Sequence, residues 1–247
     1  MQYHDDYVVI IPARYSSSRL PGKPLLKISG VEMILRTYNR CAEAVDPKKI
    51  FVATESSLIK NFCIKNSIQV IMTSDKCLTG TDRIAEVSTK ISAPVYINVQ
   101  GDEPLLNPDD LLSIINASMQ KPNTIFNGYC EINDKDQYLS KNIPKAVFTE
   151  DKKLLYMSRS PIPFSGSIKS MKAFRQVCIY AFPRKALKIF SNNPKKTFFE
   201  MIEDIEILRF LELGCEINMV KMSSDSVAVD VPDDIKKVEK LLSLRNE

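Results

Sequence analysis

Residues 7–25 read YVVIIPARYSSSRLPGKPL. The unbroken run VVII fits a strand covered on both faces, since a strand with one wet face alternates apolar with polar residues. It gives way at once to a loop carrying Arg14, Arg19 and Lys23 among three serines and one glycine. In doubly wound α/β sheets ligands sit beyond the carboxyl ends of the strands, which is where this cationic loop falls. Further along, KIFVAT (49–54), QVIMT (69–73) and VYINVQ (95–100) read as strands too. Helical patterns fall at 31–44, 56–66, 81–91 and 108–120. Strand–helix alternation at this spacing predicts a parallel sheet with crossover helices.

Beyond residue 123 the rhythm changes. TIFNGYCEI (124–132), KAVF (145–148) and QVCIYAF (176–182) are strand-like pieces with no long helix between them. They predict a mixed or antiparallel extension of the same sheet, or a flap that serves as an interface. FFEMIEDIEILRFLEL (198–213) carries one apolar stripe and reads as a single helix, with Gly214 as its terminator. A strand at 216–222 and a helix at 232–244 follow, the helix having Pro232 at its first turn. With no repeat or linker, the expectation is one α/β domain over 1–247 with a β excursion at about 124–197.

Bulk properties exclude several classes. Thirty-four cations against 30 anions leave a net charge of +4, too mild for a nucleic-acid surface. Cys41, Cys63, Cys77, Cys130, Cys178 and Cys215 show no metal-ligand spacing and predict reduced thiols in a cytoplasmic protein. No apolar run reaches membrane-spanning length, and no signal-type segment opens the chain. The single histidine, His4, argues against a catalytic triad or a His-rich metal site.

Four segments could carry chemistry. The opening loop matches neither a Walker loop nor G-x-G-x-x-G, yet its two guanidiniums and ammonium are spaced to wrap a multiply charged anion. On composition alone it reads either as a phosphate cradle or as a solvated basic loop. QGDEP (100–104) ends a buried strand with two adjacent carboxylates, which either cap the next turn or present Asp102 to a metal. Beside a triphosphate, Asp102 suits Mg²⁺, which is usually held by one or two carboxylates together with phosphate oxygens. VAVDVPDD (227–234) supplies a second acid, Asp230, at another strand-to-helix junction. LTGTDR (78–83) opens a helix whose N–H groups either contact a ligand or are simply capped. YMSRSPIP (156–163) isolates Arg159 among apolar neighbours, where it is either paired structurally or awaiting an anionic substrate.

These motifs resemble a known family. VVIIPARYSSSRLPGKPLL, TGTDRIAEV, YINVQGDEPLL, KAVF, LLYMSRSPIPF, IYAF, EILRFLELG and VDVPDDI occur in the order and spacing of the CMP-Kdo synthetases, the 3-deoxy-manno-octulosonate cytidylyltransferases. The resemblance runs through nearly the whole chain. It implies a Rossmann-like nucleotidyltransferase domain with a mostly parallel sheet and a β excursion used for dimerisation. The implied reaction joins CTP to the anomeric hydroxyl of a 2-keto sugar acid and releases pyrophosphate, giving an activated sugar for lipopolysaccharide or capsule assembly. Carried over by position, Arg14, Arg19 and Lys23 would hold the triphosphate, with Lys23, Asp102 and Asp230 catalytic and both acids on Mg²⁺. Thr79, Gly80, Thr81 and Arg83 would line the nucleotide pocket, with Thr79 where serine is usual. Gln100, Lys145, Arg159, Gln176, Tyr180 and Glu200 would surround the sugar, Arg159 taking its carboxylate.

The chain also departs from the family pattern. QVCIY puts Gln176 where a histidine is usual, SVAVDVP replaces a glycine-rich G-V-D-T-P segment, and Cys77 stands where a histidine is common. These changes bear on which sugar is used, an amino-substituted octulosonate included. A non-catalytic nucleotide-binding relative is the contrasting expectation, which retention of Lys23, Asp102, Arg159 and Asp230 opposes.

Overall fold

Successive residues of a strand point to opposite faces, and the first strand uses both. In a computed structural model of the chain, β1 (Tyr7–Pro12) sends Val8 and Ile10 into one apolar cluster and Val9 and Ile11 into another. The structure describes residues 2–4, 6–16, 20–164, 172–224, 226–229 and 231–245. Arg19 and Asp230 therefore lie outside the described residues.

The following elements are α1 (Met33–Ala44), β2 (Ile50–Thr54), α2 (Ser57–Lys65), β3 (Val70–Met72), α3 (Gly80–Lys90), β4 (Val95–Val99) and α4 (Pro108–Gln120). Strands β1 to β4 form a parallel set in the order β3–β2–β1–β4, as the alternation predicts. Helices α1, α2 and α4 cover one face through Ile34, Ile59, Leu111 and Ile114, while α3 covers the other through Ile84 and Val87.

The excursion comprises β5 (Ile125–Ile132), β6 (Lys145–Phe148), β7 (Leu154–Ser158) and β8 (Ala173–Pro183). β8 is its hub. It runs antiparallel to β4, β5 and β6, and β6 pairs β7, which ends the sheet. The register of β8 against β5 slips between Val177 and Tyr180. Asn127 fills that bulge, donating its side-chain amide to the carbonyls of Val177 (3.1 Å) and Ile179 (2.9 Å). The sequence pattern signals neither β7 nor α5 (Arg184–Ser191), whose Leu187 and Phe190 extend the core on the α3 face.

The predicted helix over 198–213 is two helices, α6 (Phe198–Glu203) and α7 (Ile207–Glu212). Asp204 breaks them apart at φ 51°, ψ 49°, a left-handed conformation that aspartate tolerates better than most residues. The break has tertiary causes. The carbonyls of Glu203 and Asp204 turn to the Arg159 guanidinium, and Glu206 turns to the start of α3. Gly214, at φ 76°, does end α7, with Cys215 N–H bonding back to Phe210 in a Schellman arrangement.

β9 (Ile217–Lys221) runs parallel to β5, and α8 (Pro232–Arg245) closes the chain. A third apolar cluster packs Val238 and Leu242 of α8 against Leu20, Ile28, Met33 and Leu105. It pins the chain end beneath the opening loop. All six cysteines are free thiols; Cys41, Cys63 and Cys130 are buried and the other three are half-buried. No helix among the described residues is long and apolar enough to cross a membrane.

Candidate active site

The carboxyl ends of β1 and β4 and the bulge of β8 meet at one edge of the sheet around a cavity of about 410 Å³. Gly101 makes that meeting close. A Cβ there would lie 2.9 Å from the Pro12 carbonyl oxygen, so the turn after β4 packs on the end of β1 only without a side chain. Nine of the residues singled out from the sequence line the cavity: Arg14, Lys23, Thr79, Gly80, Gln100, Asp102, Arg159, Gln176 and Tyr180.

The opening loop supplies the cations. Gly22, at φ 67°, starts the short turn that carries Lys23. The Lys23 ammonium lies 2.6 Å from the Asp102 carboxylate. Arg14 donates to the Leu78 carbonyl at 3.0 Å, tying the loop to the start of α3. Arg83 is not on the wall: it is 1% exposed and pairs with Glu55 at 2.7 Å. The other Glu55 oxygen accepts from Tyr15 N–H at 2.9 Å, so Arg83 positions the loop from behind.

The two acids of QGDEP part company. Asp102 faces the cavity, whereas Glu103 turns inward and accepts from the Ser226 hydroxyl. Burial, helped by the Asp102 charge, pushes the Glu103 carboxyl up to about 7. The Val229 N–H donates to the Asp102 carbonyl at 2.9 Å, and Asp110 takes both the N–H and hydroxyl of Ser223. Three points thus dock Ser223, Ser226 and Val229 onto the turn after β4 and the first turn of α4.

The start of α3 takes the capped of its two expected forms. Its N–H groups are not open to a ligand. Glu206 accepts from Gly80 N–H (3.1 Å), Thr81 N–H (2.8 Å) and the Thr81 hydroxyl (2.6 Å). An anion at a helix N-terminus is favourable, and here the protein provides its own. Thr79 and Asp82 complete a capping box. Thr81, 1% exposed, belongs to this cap and not to the cavity wall.

Glu200 and Lys145 also stand differently from expectation. Glu200 is fully buried in a bidentate pair with Arg209, at 2.6 and 2.7 Å, so it cannot face a sugar. The glutamate of that segment that lines the cavity is Glu206, which the sequence does not single out. Glu200, Glu203 and Glu206 are spaced three apart, and that spacing is the only available signal. Lys145, fully buried, donates to the carbonyls of Ser140, Ile143 and Arg159, using all three N–H groups. Burial, then the nearby Arg159 guanidinium, pulls its ammonium down to about 8. Its place is under Arg159.

Arg159 itself is heavily engaged. Its Nε donates to the Glu203 carbonyl (2.6 Å), one terminal nitrogen to Lys141 and Asn142, and the other to Asp204 (3.0 Å). Gln176 is 6% exposed, and its amide N–H donates to Asn127 at 2.9 Å, which fixes the direction of its side-chain carbonyl. Tyr180 is buried, and desolvation raises its phenol well above the ordinary value, keeping it neutral. Lys196, Asp204 and Asn142 also reach the wall, and nothing in the sequence pattern marks them.

Asp102 suits Mg²⁺. It is a hard oxygen donor at the cavity wall, already opposite a cation. Among the described residues no group of three or more His, Cys, Asp or Glu side chains could hold a metal ion, so phosphate oxygens and water would complete the shell.

Residues 8–219 match the cytidylyltransferase family. The chain is 34% identical over 236 residues to the 3-deoxy-manno-octulosonate cytidylyltransferase of Escherichia coli, covering 96% of each. It is 36% identical over 241 residues to the 8-amino-3,8-dideoxy-manno-octulosonate cytidylyltransferase of Shewanella halifaxensis, covering 96% of this chain and 98% of the relative. Among solved structures it is similar to a CMP:2-keto-3-deoxy-manno-octonic acid synthetase complexed with CTP. That likeness has a TM-score of 0.89 and 33% identity, over 97% of this chain and 99% of the other.

Proposed function

The chain belongs to the cytidylyltransferase family, and we propose that it transfers CMP from CTP to the anomeric hydroxyl of 3-deoxy-manno-octulosonate, releasing pyrophosphate. The observation that carries this reading is the Lys23–Asp102 pair, set with Arg14 and Arg159 around one cavity at the end of β4. The product would be the activated sugar for lipopolysaccharide or capsule assembly, made in the cytoplasm where nucleoside triphosphates are held.

Phosphoryl-type transfer asks a protein for position and charge neutralisation more than for covalent help. Arg14, Arg19 and Lys23 are assigned to the triphosphate, which draws Lys23 from Asp102 onto phosphate oxygen. Asp102, with Asp230, is assigned to Mg²⁺. When bound, the metal supplies Lewis-acid polarisation of the phosphate and of the attacking hydroxyl. Gln100, Gln176 and Tyr180 present neutral hydrogen-bonding groups suited to sugar hydroxyls, and Thr79 and Gly80 border the nucleotide. No histidine base is needed, in keeping with the single His4.

The test is pyrophosphate release with CTP, Mg²⁺ and 3-deoxy-manno-octulosonate. Asp102→Asn should lower turnover by at least about 10²-fold while leaving the fold intact. A wild-type protein inactive with every 2-keto sugar acid would defeat the reading. A second reading, with the 8-amino sugar as substrate, is favoured by one finding: the Shewanella halifaxensis relative is as similar to this chain as the Escherichia coli one. Parallel assays with the two sugars decide between them.

A homodimer is proposed through the excursion. The terminal strand β7 and the adjoining α6 expose Leu155, Phe198, Met201 and Ile202, each at least 60% accessible. Tyr156 and Phe199 meet edge-on at 5.7 Å, which makes the two elements neighbours. Exposed apolar side chains gathered on neighbouring elements suit an interaction site.

A further inference from the structure

The hydrogen-bond donors at the sugar end of the cavity include one side chain that the proposed reaction has not yet used. A 2-keto sugar acid carries an ionised carboxylate with about four lone-pair positions to satisfy. Arg159 is the residue expected to receive it, and a guanidinium has five N–H groups. Four of those on Arg159 go to the carbonyls of Glu203, Lys141, Asn142 and Asp204. One is left. Lys145, directly below, has none left after Ser140, Ile143 and Arg159.

Lys196 has donors to give. It lies on the cavity wall, and among the described residues its partner is the Asp204 carboxylate at 2.7 Å. Two of its three N–H groups are uncommitted there. Its position relative to Arg159 is fixed by a shared residue: Asp204 offers its carboxylate to Lys196 and its carbonyl to Arg159. The left-handed turn at Asp204 directs those two oxygens to two cations. The residue that accepts from Lys196 is 69% exposed at its side chain, so the pair sits at the mouth and exchange onto an entering anion costs little desolvation.

We propose that Lys196 is a substrate-binding residue that donates to the carboxylate of the sugar acid, exchanging Asp204 for it as the sugar enters. Arg159 is then chiefly a scaffold, tying α6 and the 141–142 turn together and giving one hydrogen bond of its own. This proposal rests on the sugar-acid cytidylyltransferase reading given above. It adds to that reading a specificity residue that only the folded chain brings to the site.

The experiment compares wild type with Lys196→Met and Lys196→Arg in two measurements: the KM for 3-deoxy-manno-octulosonate, and the inhibition constant of its C1 carboxamide. Lys196→Met removes a charge-assisted hydrogen bond and should raise the sugar-acid KM by about 10- to 100-fold. The KM for CTP should stay within about twofold. Lys196→Arg should recover most of the loss. The carboxamide, lacking the charge, should bind wild type and Lys196→Met alike. An unchanged sugar-acid KM overturns the proposal, as does an equal weakening of acid and carboxamide. Both of those outcomes leave the enzyme reading standing, because the wild-type assay reports on it separately. A wild type that turns over no 2-keto sugar acid removes the reading and the proposal together.

Discussion

Three glutamates spaced three residues apart do three different jobs, and only burial and partners separate them. Glu200 neutralises the buried Arg209, Glu203 receives the Ser158 hydroxyl and the Arg159 N–H, and Glu206 caps α3. Removing Glu200 takes the bidentate partner from a buried guanidinium and leaves it Asp82 alone, at 3.0 Å. Glu200→Ala should therefore cost about 3–5 kcal/mol. Glu206→Ala leaves the α3 N–H groups without their acceptor and should cost about 1–3 kcal/mol. Urea denaturation ranks the two, and an equal loss would mean the Arg209 pair is not the stronger dependency. The site is legible in the sequence where a residue sits in a loop directly after a strand. Arg14, Lys23, Gln100 and Asp102 all have that position. It is illegible where a role depends on a partner distant in the chain, as for Glu206 on Gly80 or Arg83's hold on Glu55.

Two irregularities in the secondary structure carry the most information about its elements. The β8 bulge is held open by Asn127, which also fixes Gln176 over the cavity. Asn127→Ala would strand two buried carbonyls and release the Gln176 amide. We expect about 1–3 kcal/mol lower stability and a raised KM for the sugar acid, with the KM for CTP little changed. Differential denaturation and steady-state kinetics check the two halves. The second irregularity, the α6–α7 break, shows why a helix predicted from its apolar stripe is two. Periodicity reports which face is buried, but it does not report acceptors elsewhere that compete for the main chain. The parallel strands are readable because the continuous apolar pattern of VVII has one solution, burial on both faces. β7 is not, since LLYMS is a short apolar run that periodicity alone does not assign to strand or helix.

At the largest scale, the apolar surface of β7 and α6 makes a prediction about assembly. Met201→Glu with Ile202→Glu should shift the protein to monomers in sedimentation experiments, and an unchanged species would reject this surface as the interface. Stability should also depend on pH through Glu103. Its carboxyl lies near 7 when folded against 4.5 ordinarily, so the folded state binds the extra proton between those values. Its contribution is complete below about pH 4.5 and is gone as pH rises past 7, a difference of about 3 kcal/mol. Glu103→Gln should flatten that slope, as read from denaturation midpoints across pH 4.5–8. The cap on α3 also bears on the order of synthesis. Gly80 and Glu206 are 126 positions apart, and Asp82 and Arg209 are 127 apart. A ribosome adding about 5–20 residues per second needs roughly 6–25 seconds to cover that distance. For most of that interval the parallel strands are already made, yet the Gly80 and Thr81 N–H groups lack their Glu206 acceptor and the inner face of α3 lacks α5 and α7. The first half of the chain therefore does not complete its own fold: the acceptor and the apolar cover that α3 uses come from the C-terminal third.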